Sequence, residues 1–455
     1  MEPYYGSEMI QNPMNQIFKR ARAYLEKNKF LKNLTLLAGS TALAQAVGVL
    51  VSPILTRLYT PEDFGVLSLY SSILGILTHQ MTLSYEYSIP IAADDDSALD
   101  LLFLCFLVVT AMTAVVSFFL KPIVSIFAGD LTLELILPFL WVIPIGAFLG
   151  AIYNSLNFIS VRTRNYKLLA RTKITQVTMQ SAAQIGVGFV FEGPIGLLLG
   201  FVVGRSAGIR SQFKYTREKY KNVWGKTTFK RMLQLAVQYK NFPLLQTWAT
   251  LLNNAGTQLF PLLLNVFYGP TVAGFYYLSQ KVIGMPVTLI SNSAKQVYIG
   301  DVSEYLKSNP RKLLGIFMKL TGRMLLIGVL PCLILTLFGR EIFSLIFGVK
   351  WDEAGRYVQV MAFSFLLKFG SESFVNLALL ERQALSFVWS LLRMILTIGG
   401  LFLVHVLGLS AFYAVCAYTV AMVFSYLINY IMYIISIKKI IDTHEKKGLR
   451  SSVSV

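Results

Sequence analysis

Residues 59–65, YTPEDFG, and residues 268–274, YGPTVAG, share the pattern Tyr-x-Pro-x-x-x-Gly and stand 209 residues apart. Each copy lies between two long apolar segments. When the two copies are aligned with a gap of one residue, Pro53 upstream corresponds to Pro261. Downstream, GVLSLYSS aligns with GFYYLSQK. Internal repeats of this length in an apolar chain are typical of transporters, in which two similar halves enclose a substrate site. The repeat therefore predicts a two-lobed membrane transporter.

The composition also places the chain in a membrane. Its 455 residues are 55% hydrophobic and 14% charged, whereas soluble domains usually carry about 25% charged residues. The three cysteines, Cys105, Cys332 and Cys416, lie far apart in apolar segments without metal-ligand spacing. We therefore predict no disulfide framework, no metal site and no cofactor.

Twelve segments are long enough to cross about 30 Å of hydrocarbon. They predict an all-α polytopic membrane protein with two six-helix lobes around a central cavity. The predicted spans lie near residues 34–57, 65–84, 101–120, 136–158, 174–191, 193–210, 243–267, 271–298, 314–338, 355–380, 384–405 and 409–437. The predicted regions are an amphipathic N-terminal segment (1–33), an N-terminal lobe (34–210), a basic cytoplasmic linker (211–242), a C-terminal lobe (243–437) and a cytoplasmic tail (438–455).

The distribution of basic residues predicts the orientation. Most Lys and Arg residues lie in the termini and in the even-numbered connections between spans. By the positive-inside rule, both termini are then cytoplasmic. We interpret the net charge of +18 as an orientation signal and a contact with anionic lipid, and not as a nucleic-acid binding surface.

No catalytic constellation is visible, so we do not expect an enzyme. The sequence GKTT at 225–228 lacks the first glycine of a P-loop, because Tyr220 occupies that position. Asp94, Asp95 and Asp96 directly precede the third span, where carboxylates suit a helix N-terminus. A cation or headgroup role is the alternative for these three residues.

Helix packing is predicted where glycines recur at every fourth position of the sixth span, at Gly196, Gly200, Gly204 and Gly208. This spacing places small residues on one helix face and allows close approach of a neighbouring backbone. In the second span, His79 lies far from a predicted membrane surface. It is a candidate for proton coupling, with a hydrogen-bonded structural role as the alternative.

Charges inside predicted spans give the strongest indication of a site. Lys281, Lys368, Glu372 and Arg393 all lie several turns from a span end in the C-terminal lobe. Because such charges are costly in a bilayer, they normally face a watery cavity or a partner. Lys368 and Glu372 are spaced to pair on one helix face. We predict that these residues line a cationic cavity for an anionic group such as a pyrophosphate, with helix-to-helix bonding as the alternative.

Neutral polar residues extend the predicted cavity lining. Gln45 supplies polarity in the first span, and Gln246 and Asn253 fall on one polar stripe of the seventh span. Asn292 falls on a similar stripe of the eighth span with Lys281. Glu372 is in addition a candidate for proton coupling, because loss of its lysine partner to a substrate phosphate would raise its pKa. The alternative for that pair is a packing salt bridge.

The stretch from Gly39 to Tyr70, GSTALAQAVGVLVSPILTRLYTPEDFGVLSLY, resembles the first hairpin of the Wzx-type oligosaccharide-lipid flippases. These proteins export O-antigen and capsular polysaccharide units within the multidrug/oligosaccharidyl-lipid/polysaccharide flippase superfamily. In them, too, a proline precedes the LTR-x-Y-T-P-E-D-F-G block. One position departs from the pattern, because Ser84 stands before Tyr85 and Glu86 where the family often has arginine.

The resemblance implies a flippase of the bacterial cytoplasmic membrane with two helical bundles in a V around a cavity. It implies undecaprenyl pyrophosphate carrying a short oligosaccharide as the substrate, with polysaccharide polymerase and chain-length proteins as further partners. Three alternatives remain open at this point: a cation-coupled small-molecule or drug exporter of the same superfamily, a lipid II flippase, and a membrane glycosyltransferase or polymerase.

Overall fold

The computed structural model describes residues 29–127, 137–308, 310–375, 377–380 and 382–453. Within these ranges the chain is helical and contains no strand, which confirms the all-α polytopic fold. The α-helices are α1 (Lys29–Leu50), α2 (Ser52–Leu58), α3 (Pro61–Leu77), α4 (Asp95–Phe127), α5 (Val142–Arg162), α6 (Tyr166–Gly188), α7 (Ile195–Ser206), α8 (Ile209–Lys219), α9 (Phe229–Gln238), α10 (Thr247–Tyr268), α11 (Pro270–Ser308), α12 (Pro310–Phe347), α13 (Asp352–Phe374), α14 (Gln383–Val406) and α15 (Ala411–Val453).

Each of the twelve predicted spans overlaps one or more of these helices. Six stretches among the described residues are long and apolar enough to cross a membrane by length and composition alone: Leu36–Leu58, Asp95–Pro122, Leu137–Arg162, Arg311–Phe347, Ala384–Val406 and Ala411–His444. The remaining predicted spans fall on α3 and α7, which are apolar but have only 17 and 12 residues, and on α6, α10, α11 and α13. Most of these helices supply side chains that line the cavities described below.

The two copies of the repeated motif pack directly against each other. Gly65 of α3 lies against Pro270, and Gly274 of α11 lies against Pro61. A Cβ atom on Gly65 would lie 2.6 Å from the Cα of Pro270, and one on Gly274 would lie 2.9 Å from the carbonyl carbon of Pro61. Such an approach of two backbones requires glycine. The repeat thus forms a reciprocal crossing that joins the two halves of the chain.

Aromatic and polar contacts reinforce this crossing. Asn265 Nδ2 donates a hydrogen bond of 2.9 Å to the Gly65 carbonyl. The ring of Phe64 packs edge-on against Trp351, with ring centroids 4.9 Å apart, and Trp351 Nε1 donates to the Thr56 carbonyl at 3.2 Å. We call the reciprocal crossing together with Phe64, Thr56 and Trp351 the outer seal, after the membrane face that the distribution of basic residues predicts for it. These groups close one end of the interface between the halves.

Close packing explains the recurring glycines of α7, Gly196, Gly200 and Gly204, which we call the glycine stripe. Ideal Cβ atoms on Gly200 and Gly204 would lie 2.9 Å from the Gln184 nitrogen and 2.7 Å from the Gln180 Cβ, respectively. A Cβ on Gly196 would overlap the Tyr59 hydroxyl. Gly208 differs from the prediction of one continuous face, because it follows the end of α7 and adopts a left-handed φ of +95° that breaks the helix.

Many helix boundaries differ from the predicted spans by several residues, and three of these differences change the predicted organisation. Helix α3 ends at Leu77 and the chain turns through Leu83 and Ser84, which adopt φ values of 49° and 63°. His79 therefore lies in this turn, beyond the end of a helix and not deep within one. Helix α6 begins at Tyr166, earlier than predicted, because the Asn165 side chain accepts a hydrogen bond from the Leu168 amide. Helix α15 continues to Val453 through the predicted tail.

The linker between the halves is attached to the first half. Arg231 of α9 lies 3.2 Å from Asp100 of α4, and Tyr85 donates a hydrogen bond of 3.1 Å to the Ala236 carbonyl.

At the start of α4, the Asp94 side chain accepts a hydrogen bond of 2.6 Å from the Ser97 amide. This bond lowers the pKa of Asp94 and confirms the predicted capping of that helix. The amphipathic segment predicted at 1–33 lies almost entirely outside the described residues.

Candidate functional site

Three predicted basic residues line one cavity, although they come from three different helices. Lys281 of α11, Lys368 of α13 and Arg393 of α14 surround a volume of about 440 Å³. We call this volume the cationic cavity. Residues of α3 and α10, among them Ser68 and Thr257, complete its wall. Among the lining residues that the structure describes, the charged side chains are these three basic ones.

The guanidinium of Arg393 is held by an aromatic ring. Its Cζ lies 4.7 Å from the ring centroid of Trp389, and Trp389 Nε1 donates a hydrogen bond of 2.9 Å to the Ser425 carbonyl. The Nε of Arg393 is buried and bonds to no other described residue. A buried donor without a partner is unfavourable by about 1–3 kcal/mol, or more when charged. Arg393 thus lines the cavity wall and holds one unsatisfied buried donor, its Nε.

The rest of the wall combines hydroxyl groups with aromatic rings. Gln280 Nε2 donates to Tyr418 at 3.2 Å and also to Tyr276. The Nζ of Lys368 lies 5.1 Å from the ring centroid of Phe365, and the Ser68 hydroxyl is buried without a partner among the described residues. The cationic cavity thus joins positive charge to several donor groups.

A second cavity adjoins the first. It encloses about 430 Å³ between α1, α6 and α11, and we call it the amide cavity because Gln45, Gln176, Gln180 and Gln280 are among its lining residues. Tyr277, Gln280 and Lys281 line both cavities. The predicted single cavity is therefore a pair of neighbouring volumes that meet at Lys281.

The structure separates the other predicted site residues. Gln45 lines the amide cavity and not the cationic one. Asn253 lines a separate depression of about 260 Å³ against α14, and Gln246 is exposed and donates to Thr250 at 3.4 Å. Neither Gln246 nor Asn253 is among the lining residues of the cationic cavity, so their predicted role in its lining stays a prediction. The side chains of Asn292 and Glu372 lie outside the described part of the structure, so the predicted pairing of Glu372 with Lys368 stays a prediction.

A π-helical turn precedes α10 and changes the phase of the residues before it. Residues Phe242–Gln246 form one π-helical turn directly before α10. A π turn holds more residues than an α turn and rotates the positions before it relative to those after it. Thr257, near the middle of α10, does reach the cationic cavity.

Two further residues were not among the candidate functional residues predicted from the sequence. Lys173 lines the amide cavity, and its Nζ donates a hydrogen bond of 2.9 Å to the Thr41 hydroxyl. It is missed because the predicted span begins one residue later. Glu86 is almost fully buried in the 3₁₀ turn Tyr85–Ile91, where the Thr82 hydroxyl donates to its carboxylate. Burial raises the pKa of Glu86 to about 7.

Solved structures share the fold. An inward-facing multidrug resistance MATE family transporter of the MOP superfamily is 13% identical with a TM-score of 0.64, and the match covers 90% of this chain and 96% of that chain. The lipid II flippase MurJ in an inward closed conformation is 13% identical with a TM-score of 0.65, covering 89% of each chain. A point mutant of the Vibrio cholerae MATE transporter VcmN is 14% identical with a TM-score of 0.54, covering 94% of this chain and 98% of that chain.

Fold and cavities together define a multi-pass membrane protein with the architecture of the MATE and MurJ transporters. Residues 54–356 match the family described as "Polysaccharide biosynthesis protein", and the chain belongs to this family. The match confirms the resemblance to the polysaccharide exporters that the first hairpin indicated. No curated protein matches the sequence.

Proposed function

We propose that the protein is a flippase that moves undecaprenyl-pyrophosphate-linked oligosaccharide units across the bacterial cytoplasmic membrane for surface polysaccharide synthesis. The observation that carries this proposal is the convergence of Lys281, Lys368 and Arg393 on one cavity. Both termini lie in the cytoplasm on this account, because the basic connections lie on the side of the termini. Polymerase and chain-length proteins would act on the exported product.

The barrier to flipping is the desolvation of the charged and polar headgroup. A phosphate loses strong hydration when it leaves water, and this is costly unless it is paired in its new environment. Three fixed cations in a partly enclosed volume offset that cost. The polyprenyl tail is apolar and stays in the bilayer, so the protein has to enclose only the headgroup.

Alternating access requires a closure on each side of the cavity in turn. The outer seal, built by the Gly65–Pro270 and Gly274–Pro61 crossing, lies at the ends of α3 and α11 that the positive-inside rule assigns to the outer face. The proposal assigns the described conformation to a state that is closed on this face. Rocking of the two halves would open the outer seal and release the headgroup.

The cationic cavity also bears on the alternatives. A cation-coupled drug exporter suits an acidic cavity, whereas the charged lining residues within the described chain are basic. A lipid II flippase would also bind a pyrophosphate, so charge alone does not separate it from the proposed function. Competition between the two lipids for binding and transport separates them.

Complementation of a deletion strain tests the proposal. Single variants Lys281→Gln, Lys368→Gln and Arg393→Gln should reduce surface polysaccharide at unchanged membrane expression. Lys319→Gln and Arg323→Gln are matched controls, because both residues are exposed on α12 and should retain full export. Full export by all three cavity variants would contradict the proposed function.

A further inference from the structure

We propose that the amide cavity is the binding site for the sugar portion of the lipid-linked substrate, next to a pyrophosphate held in the cationic cavity. This inference rests on the proposed function. It assigns a distinct chemical group to each of the two neighbouring volumes, with Lys281 at their junction.

The chemistry of the lining fits sugar hydroxyl groups. A glutamine amide offers two donor hydrogens and an acceptor oxygen, so it can bond to a hydroxyl in either sense. Five glutamines from three helices line this volume: Gln45 of α1, Gln176, Gln180 and Gln184 of α6, and Gln280 of α11. Gln176 and Gln180 are one turn apart and therefore share a helix face. Amides on several sides of the cavity suit a ligand with many hydroxyls, and Lys173 and Lys281 add positive charge to its wall.

The walls of the amide cavity are fixed by packing. Gly204 of α7 lies directly behind Gln180, where an added Cβ would come within 2.7 Å of the Gln180 Cβ and 3.1 Å of its Oε1. On the opposite side, the Nζ of Lys173 donates to the Thr41 hydroxyl at 2.9 Å and ties α6 to α1. Gln184, the next glutamine of α6, donates instead to the Leu197 carbonyl at 3.1 Å and stabilises the α6–α7 contact. The glycine stripe therefore supports the wall that presents Gln176 and Gln180.

The adjacency of the two volumes fits one ligand with two parts. Tyr277, Gln280 and Lys281 belong to both linings, so the two volumes lie on either side of the same three residues. In the substrate, the first sugar is bonded to the pyrophosphate. The volume of about 430 Å³ lies within the range of about 300–1,000 Å³ that is typical of small-ligand sites.

Binding measurements on the purified full-length protein test this assignment. The two probes are bare undecaprenyl pyrophosphate and the sugar-bearing lipid extracted from host cells that lack the flippase gene. The wild type should bind the sugar-bearing lipid more tightly than the bare one. The double variant Gln176→Leu/Gln180→Leu should lose about tenfold in affinity for the sugar-bearing lipid, or about 1.4 kcal/mol, while its affinity for the bare lipid stays unchanged.

The matched control is Gln234→Leu/Gln238→Leu, which changes two exposed glutamines one turn apart on α9 and should leave both affinities unchanged. Unchanged binding of the bare lipid also shows that the cavity variant is folded. An equal loss for both probes, or no loss for either, overturns the assignment of the sugar to the amide cavity. A wild type that binds both probes equally also overturns it, whereas a wild type that binds neither contradicts the proposed function itself.

Discussion

Gly65 packs against Pro270 so closely that a Cβ atom on the glycine would lie 2.6 Å from the proline Cα. Gly274 and Pro61 form the same contact with the roles of the two halves exchanged. A contact of backbone with backbone cannot yield by rotation of a side chain. The outer seal is therefore the part of the structure in which the smallest change should have the largest conformational effect.

We predict that Gly65→Ala and Gly274→Ala each open the outer seal. The added methyl group has no space in the described conformation, so the halves must separate at this crossing. A single cysteine introduced beside the crossing should then react faster with a membrane-impermeant thiol reagent from the outside, in a background without the three native cysteines. Gly322→Ala is the matched control, because no atom lies within 4 Å of the position of its added Cβ. Equal reaction rates in all variants would contradict this role of the seal.

The repeated motif that forms this crossing could be recognised in the sequence, but the contact between its two copies could not. The spacing of Tyr, Pro and Gly is visible in the two copies, whereas their mutual packing depends on how the halves meet. The cationic cavity could also be predicted from the sequence, but for a different physical reason. The cost of burying Lys281, Lys368 and Arg393 in a bilayer forces them to share a polar environment.

Other parts of the site depended on local geometry that periodicity does not contain. The cap of Asn165 places Lys173 inside α6, and a π turn at Phe242–Gln246 precedes α10. The buried Glu86 lies in a stretch that the hydropathy pattern assigns to a connection. Its burial follows from the left-handed turn at Leu83 and Ser84, which no pattern in the sequence indicated.

We predict that the stability of the protein falls as pH rises from about 4.5 to about 7, in part because of Glu86. Its pKa is about 7 in the folded protein and near the ordinary value of 4.5 when the chain is unfolded. Between these values the folded state binds more protons than the unfolded state, so its stability decreases with pH. Thermal unfolding in detergent at about pH 4.5 and about pH 8 measures this difference.

The variant Glu86→Gln should lose the part of that pH dependence that Glu86 causes and be more stable than the wild type at about pH 8, by on the order of 2–3 kcal/mol. Glu192→Gln is the control, because Glu192 is exposed between α6 and α7 and should show the wild-type pH profile. An unchanged profile in Glu86→Gln would rule out this carboxyl as the source of the effect.

We predict that Trp389 positions the guanidinium of Arg393 for phosphate binding. Trp389→Leu should weaken binding of bare undecaprenyl pyrophosphate by about fivefold, in keeping with the energy of a partly desolvated cation–π contact. Trp389→Phe keeps an aromatic face and should weaken binding less. The control Trp248→Leu removes an exposed tryptophan at the start of α10. Equal effects of the Leu and Phe variants at Trp389 would argue against positioning by the ring face.

We predict that the α6–α7 contact is sensitive to a single methyl group. Gly200→Ala should lower stability by roughly 1–3 kcal/mol, the usual effect of overpacking, because the Cβ would approach the Gln184 nitrogen to 2.9 Å. Gly186→Ala on the facing helix meets no atom within 4 Å and should be neutral or slightly stabilising. Thermal unfolding of the two variants side by side provides the comparison, and equal melting temperatures would contradict close packing at Gly200.

The most direct test of the central claim is translocation of the labelled lipid-linked oligosaccharide in liposomes that contain only the purified protein. We expect transport by the wild type, inhibition by bare undecaprenyl pyrophosphate, weaker inhibition by lipid II and loss of transport in Arg393→Gln but not in Arg323→Gln. Wild-type protein that leaves the lipid in its original leaflet, or Arg393→Gln protein that transports at the wild-type rate, would contradict the claim that the cationic cavity carries the headgroup across the membrane.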